Sequence, residues 1–462
     1  MAESFVRVDE SSLLETTPLL PPLPQKPGNQ EKKGNGEEID GRDHVATDLD
    51  KALQRLEWFL GALGFNQSSV LRIVVSWGLF LVLGLAVPVV ILELSDCRGC
   101  QKGQIKSFEV DIVVSQACLA AVSLLCASHN LRKYGIRKFL FVDRYSGHVE
   151  RFSEEYIKKI SDSIRLLVLW VLPCLVLKTA REIIRVLYVH QESLWHSTAI
   201  LLAFIMSWTF AAAIFLSVCV LFHLVCNLQI IHFDDYANLL ERESDVLLLM
   251  KEHMRLRYNL SKISHRFRIF LLLEFTIVTG SQFVTLFQTT AYHGIITCVN
   301  GGDFAVSSIV QVVGVILCLN AASKISHRAQ GIGSLASRWH ALATCGSGEA
   351  SQMRNTNNGN SEATNAHITS SFYRIGSESD LESVDFMMMP TNTHLASSMS
   401  SYQKRQSLVM YLQSNRGGIT IYGWTVDRGL INTIFFIELS LILFVLGKTI
   451  VFTGPGWFVS RN

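Results

Sequence analysis

The sequence predicts an all-α fold: a polytopic bundle of seven transmembrane helices with helical extensions on the cytosolic side. Three observations lead there. Charged residues make up 17% of the chain and hydrophobic ones 49%, whereas soluble domains run near 25% charged. The charge is gathered into blocks that separate long apolar runs. The formal net charge is 41 − 39 = +2, too balanced for a nucleic-acid binder, which needs a basic surplus on one face.

Residues 1–44 read as a disordered cytosolic tail. Pro18, Pro21, Pro22, Pro24 and Pro27 precede a polar run from Asn29 to Asp43, and so little apolar surface cannot offset ordering entropy. Residues 45–344 hold an amphipathic helix and spans one to six. The helix is expected over 47–63, capped by Thr47 or Asp48, with Leu49, Leu53, Leu56, Leu60 and Leu63 on one stripe.

The spans are Val70–Leu94, Val110–His129, Ile164–Val189, Thr198–Val225, Ile269–Tyr292, Phe304–Ala322 and Gly429–Phe452. Each reaches roughly 19–28 residues, enough for a ~30 Å hydrocarbon core. Between spans four and five, residues 229–266 keep helical spacing and should continue both helices outside the membrane. Residues 345–400, rich in Ser, Asn, Thr and Gly, read as a disordered cytosolic loop insert. Residues 401–462 supply a short cytosolic helix over 401–415, stopped by Gly417 and Gly418, then an extended piece from Ile419 to Trp424. Asp427 then opens span seven.

Lys and Arg crowd the connections 130–163, 228–268 and 323–428, while the opposite side has only Arg98, Lys102, Lys106 and Arg461. The positive-inside rule then puts the N-terminus in the cytosol and the C-terminus outside or in an organelle lumen. The first 60 residues hold no apolar block behind a basic start, so the first span itself is expected to direct insertion.

No Walker loop, dinucleotide glycine motif, HExxH or Gly-x-Ser-x-Gly elbow is present. No enzyme activity and no cofactor are expected. The fourteen histidines do not pair with Cys or carboxylates at ligand spacing. His223 and His232 read as packing residues, and no metal site is expected. Cys118, Cys126, Cys174, Cys219, Cys226 and Cys318 lie in apolar stretches, where thiols behave as small hydrophobes. Cys97, Cys100 and Cys298 fall in outer loops, either as free thiols or with a disulfide among them.

Polar groups inside the spans are the candidate functional residues. Charge at membrane depth is costly and usually faces the bundle interior or a water-filled path. Span three carries Lys178, Arg181, Glu182 and Arg185 on one face, either lining an outward-opening ligand pocket or sitting among headgroups. Lys178 and Glu182 can pair, as can Arg181 and Arg185 with Glu182. Span five carries Gln282, Thr285, Gln288, Thr289 and Tyr292 on one face. Gln282, Gln288 and Tyr292 join the pocket reading, and interhelical hydrogen bonds are the plainer reading of any one of them. In span seven, Glu438, Leu441, Ile442, Val445 and Thr449 form one stripe. Polar ends around an apolar middle suit a gated conduction path, and a buried Glu438 in an ordinary bundle is the alternative.

Two cytosolic segments carry regulatory patterns. Asp9 to Leu14, and Glu15 followed by Leu19 and Leu20, resemble the acidic dileucine signals that adaptor complexes read. They make a vacuolar or endosomal membrane a destination beside the plasma membrane. Ser377, Ser379 and Ser383 sit among acidic residues, and Ser407 follows Lys404 and Arg405. All four are expected kinase sites, where phosphate adds close to two negative charges.

The span order, the long extensions between spans four and five, and the large third cytosolic loop resemble the insect odorant and gustatory receptor superfamily. The segments Ile419 to Arg428, Phe436 to Leu441 and Leu446 to Ile450 resemble its plant branch, the gustatory-receptor-like proteins. The likeness covers 45–344 and 401–455. It implies a homotetramer with four copies of the last helix around a cation pore. A pocket in the outer half would take a small-molecule ligand, and the cytosolic extensions would hold the assembly together. Gly447, Lys448 and Thr449 stand where the insect receptors carry a different motif. The expected function is a subunit of a ligand-gated, cation-conducting channel, with a transporter or a non-conducting receptor or scaffold as the alternative. A G-protein-coupled receptor shares the span count in the inverted orientation.

A pH-sensitive fluorescent tag at Met1 should report the cytosol and one at Asn462 the opposite side; both signals on one side would break the seven-span reading.

Overall fold

The computed structural model describes residues 36–94, 102–141, 152–188, 194–243, 245–291, 298–352 and 400–451. In chain order these form α1 (Gly36–Ala62), α2 (Val70–Phe80), a π-helical segment (Leu81–Ala86), α3 (Val87–Leu94), α4 (Lys102–Leu140), α5 (Ser153–Tyr188), α6 (Leu194–Arg242), α7 (Val246–Ala291), α8 (Cys298–Gln352), α9 (Ser401–Ser414), β1 (Thr420–Ile421), β2 (Trp424–Thr425) and α10 (Arg428–Val451). Among the described residues, seven stretches are long and apolar enough to cross a membrane: Val70–Glu93, Glu109–Leu140, Ser153–Ile184, Thr198–Arg242, Val246–Gln288, Gly302–Thr344 and Arg428–Gly447. The chain is a multi-pass membrane protein of the all-α class.

The chain divides into two units, Met1–His44 and Val45–Asn462. Of the first, only Gly36–His44 is described, as helix. Helix thus reaches into both stretches read from sequence as disordered, from Gly36 at one and to Gln352 at the other. Residues 1–35 and 353–399 lie outside the described residues.

The second unit is built around α6. This helix is apolar on nearly every face, and such a helix belongs in the middle of a bundle. Trp208, Phe215, Cys219, Phe222, Cys226 and Phe233 are all buried along it. It packs most extensively against α8 and α5, and also against α4, α7 and α3. Small residues bring backbones close where no water drives association. Ala211 and Ala212 on α6 and Ala321 and Ala322 on α8 are buried. At Gly314 of α8, a Cβ would overlap the Phe215 ring and come within 3.2 Å of Cys219 Sγ.

The span formed by α2, the π segment and α3 is broken for an identifiable reason. Pro88 has no N–H to give the carbonyl one turn back, and its ring crowds that turn. The π segment ends just before this point, widening the turn. Ser207 Oγ of α6 donates to the carbonyl of Leu83 within it, which supplies a partner at a depth where water cannot. α4 breaks at Gly135, whose φ of 70° and ψ of 157° are not helical and suit glycine. Arg266 of α7 covers that helix end, its Nη1 reaching the Lys138 carbonyl at 3.2 Å and the Phe139 carbonyl at 3.3 Å.

With 49 residues, α6 is about 74 Å long at a ~1.5 Å rise per residue, more than twice the ~30 Å hydrocarbon thickness. α7 and α8 are comparably long. They continue past the membrane on the side of the basic connections, where α9 joins them. Gln413 Nε2 of α9 meets Ser337 Oγ of α8 at 2.9 Å, and Arg257 Nη1 of α7 meets Asn415 Oδ1 at 2.6 Å. The Leu49, Leu53, Leu56 and Leu60 stripe of α1 is buried, and Leu56 and Leu60 share a crevice with Ile160 of α5 and Leu221 of α6.

The extended piece after α9 is a two-stranded antiparallel hairpin pairing Thr420 with Thr425 and Ile421 with Trp424. Its turn residues Tyr422 and Gly423 have φ of 48° and 88°, as a two-residue hairpin turn requires. Ser326 Oγ of α8 accepts from the Ile419 N–H at 3.0 Å, fixing the hairpin to the bundle. Asp427 Oδ1 accepts from the Leu430 N–H at 2.8 Å and so caps the start of α10.

Gly314→Ala should lower the thermal midpoint of the detergent-solubilised chain, by the equivalent of about 1–3 kcal/mol for overpacking. Gly280→Ala, where a Cβ meets nothing within 4 Å, should leave the midpoint unchanged or slightly raised. Equal midpoints for the two variants in circular-dichroism melts would refute the close α6–α8 contact.

Candidate functional site

The stripe on α5 meets two further helices. Lys178, Arg181 and Glu182 are buried, as are Glu109 of α4 and Asp303 of α8. Lys178 Nζ lies 3.0 Å from Glu182 Oε1 and also contacts Asp303 Oδ1. Arg181 Nη1 donates to Glu182 Oε1, its Nη2 lies 3.1 Å from Glu109 Oε1, and Asp303 Oδ1 is 3.8 Å from Nη1. Two cations and three carboxylates thus share one buried cluster.

Lys178 is also held from its other side. Its Nζ lies 4.7 Å from the Phe204 ring centre and 5.8 Å from that of Trp208, both on α6. Ring faces attract cations, and more strongly where water is excluded. Beside this group lies a small recess lined by Gly84, Pro88, Gln116, Ser207, Trp208 and Asp303, among others. It combines aromatic walls, a cation, a carboxylate and neutral donors. At about 20 Å³ it has room for a water molecule, and a ligand would enter only if the helices moved apart.

A second set of polar contacts runs between α4, α7, α8 and α10. Gln288 Nε2 of α7 donates to Asp111 Oδ2 of α4. Ser281 Oγ donates to Gln311 Oε1 at 3.1 Å, and Gln311 Nε2 donates to Ser115 Oγ at 3.1 Å. Gln282 is fully buried, with no partner for either amide atom among the described residues. Thr279 Oγ1 donates to Glu438 Oε1 at 2.6 Å.

The structure therefore gathers Lys178, Arg181 and Glu182 in one place and sets Gln282 and Gln288 elsewhere, since neither lines the recess. Arg185 belongs to α5, but its side chain lies outside the described residues, as does Tyr292. Glu438 points at α7 and is buried, while Val445 is buried against Ile112 of α4 and Phe304 of α8. Leu441 and Ile442 are half-buried beside them. The uncovered stripe of α10 is instead Asn432, Phe436, Ser440, Leu443 and Gly447. The side chain of Thr449 lies outside the described residues.

Ser407 is exposed on α9, its Oγ donating to the Gln403 carbonyl at 2.9 Å. Glu15, Leu19, Leu20, Ser377, Ser379, Ser383, Cys97 and Cys100 lie outside the described residues, as does the side chain of Cys298. His232 Nε2 sits 3.0 Å from Tyr156 Oη, and the His223 ring lies against Asn227.

Glu109, Asp111 and Asp303 escape the sequence reading. Each falls within two residues of the start of an apolar run, and an acid there reads as the edge of the membrane. The one available signal is charge balance, since Lys178 and Arg181 need more carboxylate than Glu182 alone supplies.

Residues 51–437 match the model of a family described as "Protein of unknown function (DUF3537)". No curated protein and no solved structure matches the chain.

Removing one partner of a buried ion pair costs about 3–5 kcal/mol. Asp303→Ala should therefore lower the thermal midpoint sharply, and adding Lys178→Met should restore part of the loss. Additive losses in the double variant would show that the two residues do not interact.

Proposed function

The chain belongs to the DUF3537 family, and on that premise we propose that it is one subunit of a ligand-gated ion channel. Four copies assemble with α10 nearest the axis. A small molecule with a polar end binds in the outer half, where the recess beside Lys178 and Asp303 widens to admit it. The N-terminus and the extended ends of α6, α7 and α8 lie in the cytosol, in the plasma membrane or in a vacuolar or endosomal membrane. Kinases acting at Ser407 and adaptor complexes reading Glu15, Leu19 and Leu20 are its cytosolic partners.

The observation that carries this reading is the surface of α10. Only 11% of its apolar stretch is buried within the subunit, against 22% for the next least buried spans, Val70–Glu93 and Ser153–Ile184. Its uncovered stripe is not uniformly apolar: Asn432, Thr433, Ser440 and Gly447 alternate with Phe436 and Leu443. Lipid tails give Asn and Ser no partner, whereas small and polar residues mark helix contacts in membranes. A second copy of the chain satisfies them. At an axis the same stripe offers polar rings with apolar constrictions between them.

One observation favours the second reading, a non-conducting receptor or a transporter on the same bundle. Glu438 is turned inward to Thr279, so it adds no carboxylate to the uncovered stripe that would draw cations.

Particle images should show four-fold symmetry with α10 innermost. In reconstituted bilayers, Leu443→Thr, which wets an apolar constriction, should pass current without ligand. A monomeric particle, or silence from both wild type and Leu443→Thr, would remove the channel and leave the second reading.

A further inference from the structure

Away from the charged cluster, three helices bring together Cys219 of α6, Glu274 of α7 and Cys318 of α8. All three are buried, Glu274 and both thiols at 0% exposure. Cys219 Sγ lies 3.5 Å from Glu274 Oε1, and Cys318 also reaches that carboxylate. The two sulfurs and a carboxylate oxygen all lie within 4.8 Å of one another. Both thiols are free. The second carboxylate oxygen, Glu274 Oε2, is buried without a hydrogen-bond partner among the described residues.

The geometry points to a binding site for a divalent metal ion of the zinc class, held by Cys219, Glu274 and Cys318. The donor set decides the class. Two thiolates select a borderline or soft ion over magnesium or calcium, and the carboxylate oxygen favours zinc over univalent copper. The spacing agrees. With Zn–S of ~2.3 Å and Zn–O of ~2.0–2.2 Å, a tetrahedral ion holds its sulfur and oxygen ligands about 3.5 Å apart. The orphaned Oε2 is then the fourth ligand atom of a bidentate carboxylate, or accepts from a water in that position.

Glu274 also lacks a counter-charge: no cation is paired with it among the described residues, and a carboxylate at membrane depth is costly without one. Binding would release the two thiol protons and place a divalent charge among two thiolates and one carboxylate, which leaves the net charge at −1, the same as an ionised Glu274 between two neutral thiols. The absent side chain at Gly314 leaves room for Cys219 Sγ, which a Cβ there would approach to 3.2 Å. Because the ligands come from α6, α7 and α8, the ion would tie the two most buried spans, α6 and α8, to α7. This role is independent of whether the assembly conducts.

The test uses the untagged full chain in lipid nanodiscs, loaded with zinc and then washed with a weak chelator. One zinc per chain should remain by elemental analysis. Cys219→Ser with Cys318→Ser should abolish it, and Glu274→Gln should weaken it by at least about tenfold, the lower end of the loss caused even by outer-shell changes. Zinc absorption fine structure of the wild-type chain needs no variant to fold. It should show two sulfur neighbours at about 2.3 Å and one or two oxygens. Substoichiometric zinc, a zinc shell without sulfur, or retention by either variant overturns the site. So does a peptide map showing a resting Cys219–Cys318 disulfide.

Discussion

Lipid tails offer no hydrogen bonds, so an N–H, carbonyl or charge placed among them is costly unless the protein itself supplies a partner. That constraint explains why the seven spans are helices. It also explains the side-chain contacts that join them. Where Pro88 forces the first span out of α-helical geometry, Ser207 of the neighbouring helix reaches the Leu83 carbonyl. Where α4 ends after Gly135, Arg266 takes up its last carbonyls.

The same constraint sets where charge can be kept. Lys178, Arg181 and Glu182 are held at the junction of α4, α5 and α8, with Glu109 and Asp303 completing the cluster. A buried ion pair is weak evidence for stability, because desolvation offsets much of the attraction. It is stronger evidence for a constraint on helix register: these five side chains meet only if the three helices sit at fixed heights. The Phe204 and Trp208 rings add a fourth helix to that arrangement. The recess beside it inherits a defined shape.

Small residues make the centre possible. Hydrophobic burial does little between helices in lipid, so close packing must supply the attraction. α6 and α8 approach most closely at Gly314, against Phe215 and Cys219, and buried alanines on both helices, Ala211, Ala212, Ala321 and Ala322, add little bulk to the core. Beyond the membrane the same helices continue into water and collect α9 and the hairpin that leads into α10. The last span is therefore anchored at its start by Asp427 and Ile419 and is left largely uncovered along its length.

Composition alone determined that the chain crosses a membrane, because apolar runs long enough for a bilayer have few other uses. It also located seven spans, the amphipathic stripe of α1, the short helix at 401 and the cap at Asp427, all of which follow from local periodicity and capping chemistry. One face of span three could be read as charged for the same reason. What completes that face could not: Glu109 and Asp303 lie 72 or more residues away in sequence, and their positions at span edges disguised them. The direction of Glu438 was equally hidden. A helical stripe shows which residues share a face, but not whether that face meets its own bundle or a neighbour. Cys219, Glu274 and Cys318 have no spacing signal at all, since each comes from a different helix. Their meeting, and the inward turn of Glu438, were decided by how α6, α7, α8 and α10 pack, which depends on contacts that no local window of sequence contains.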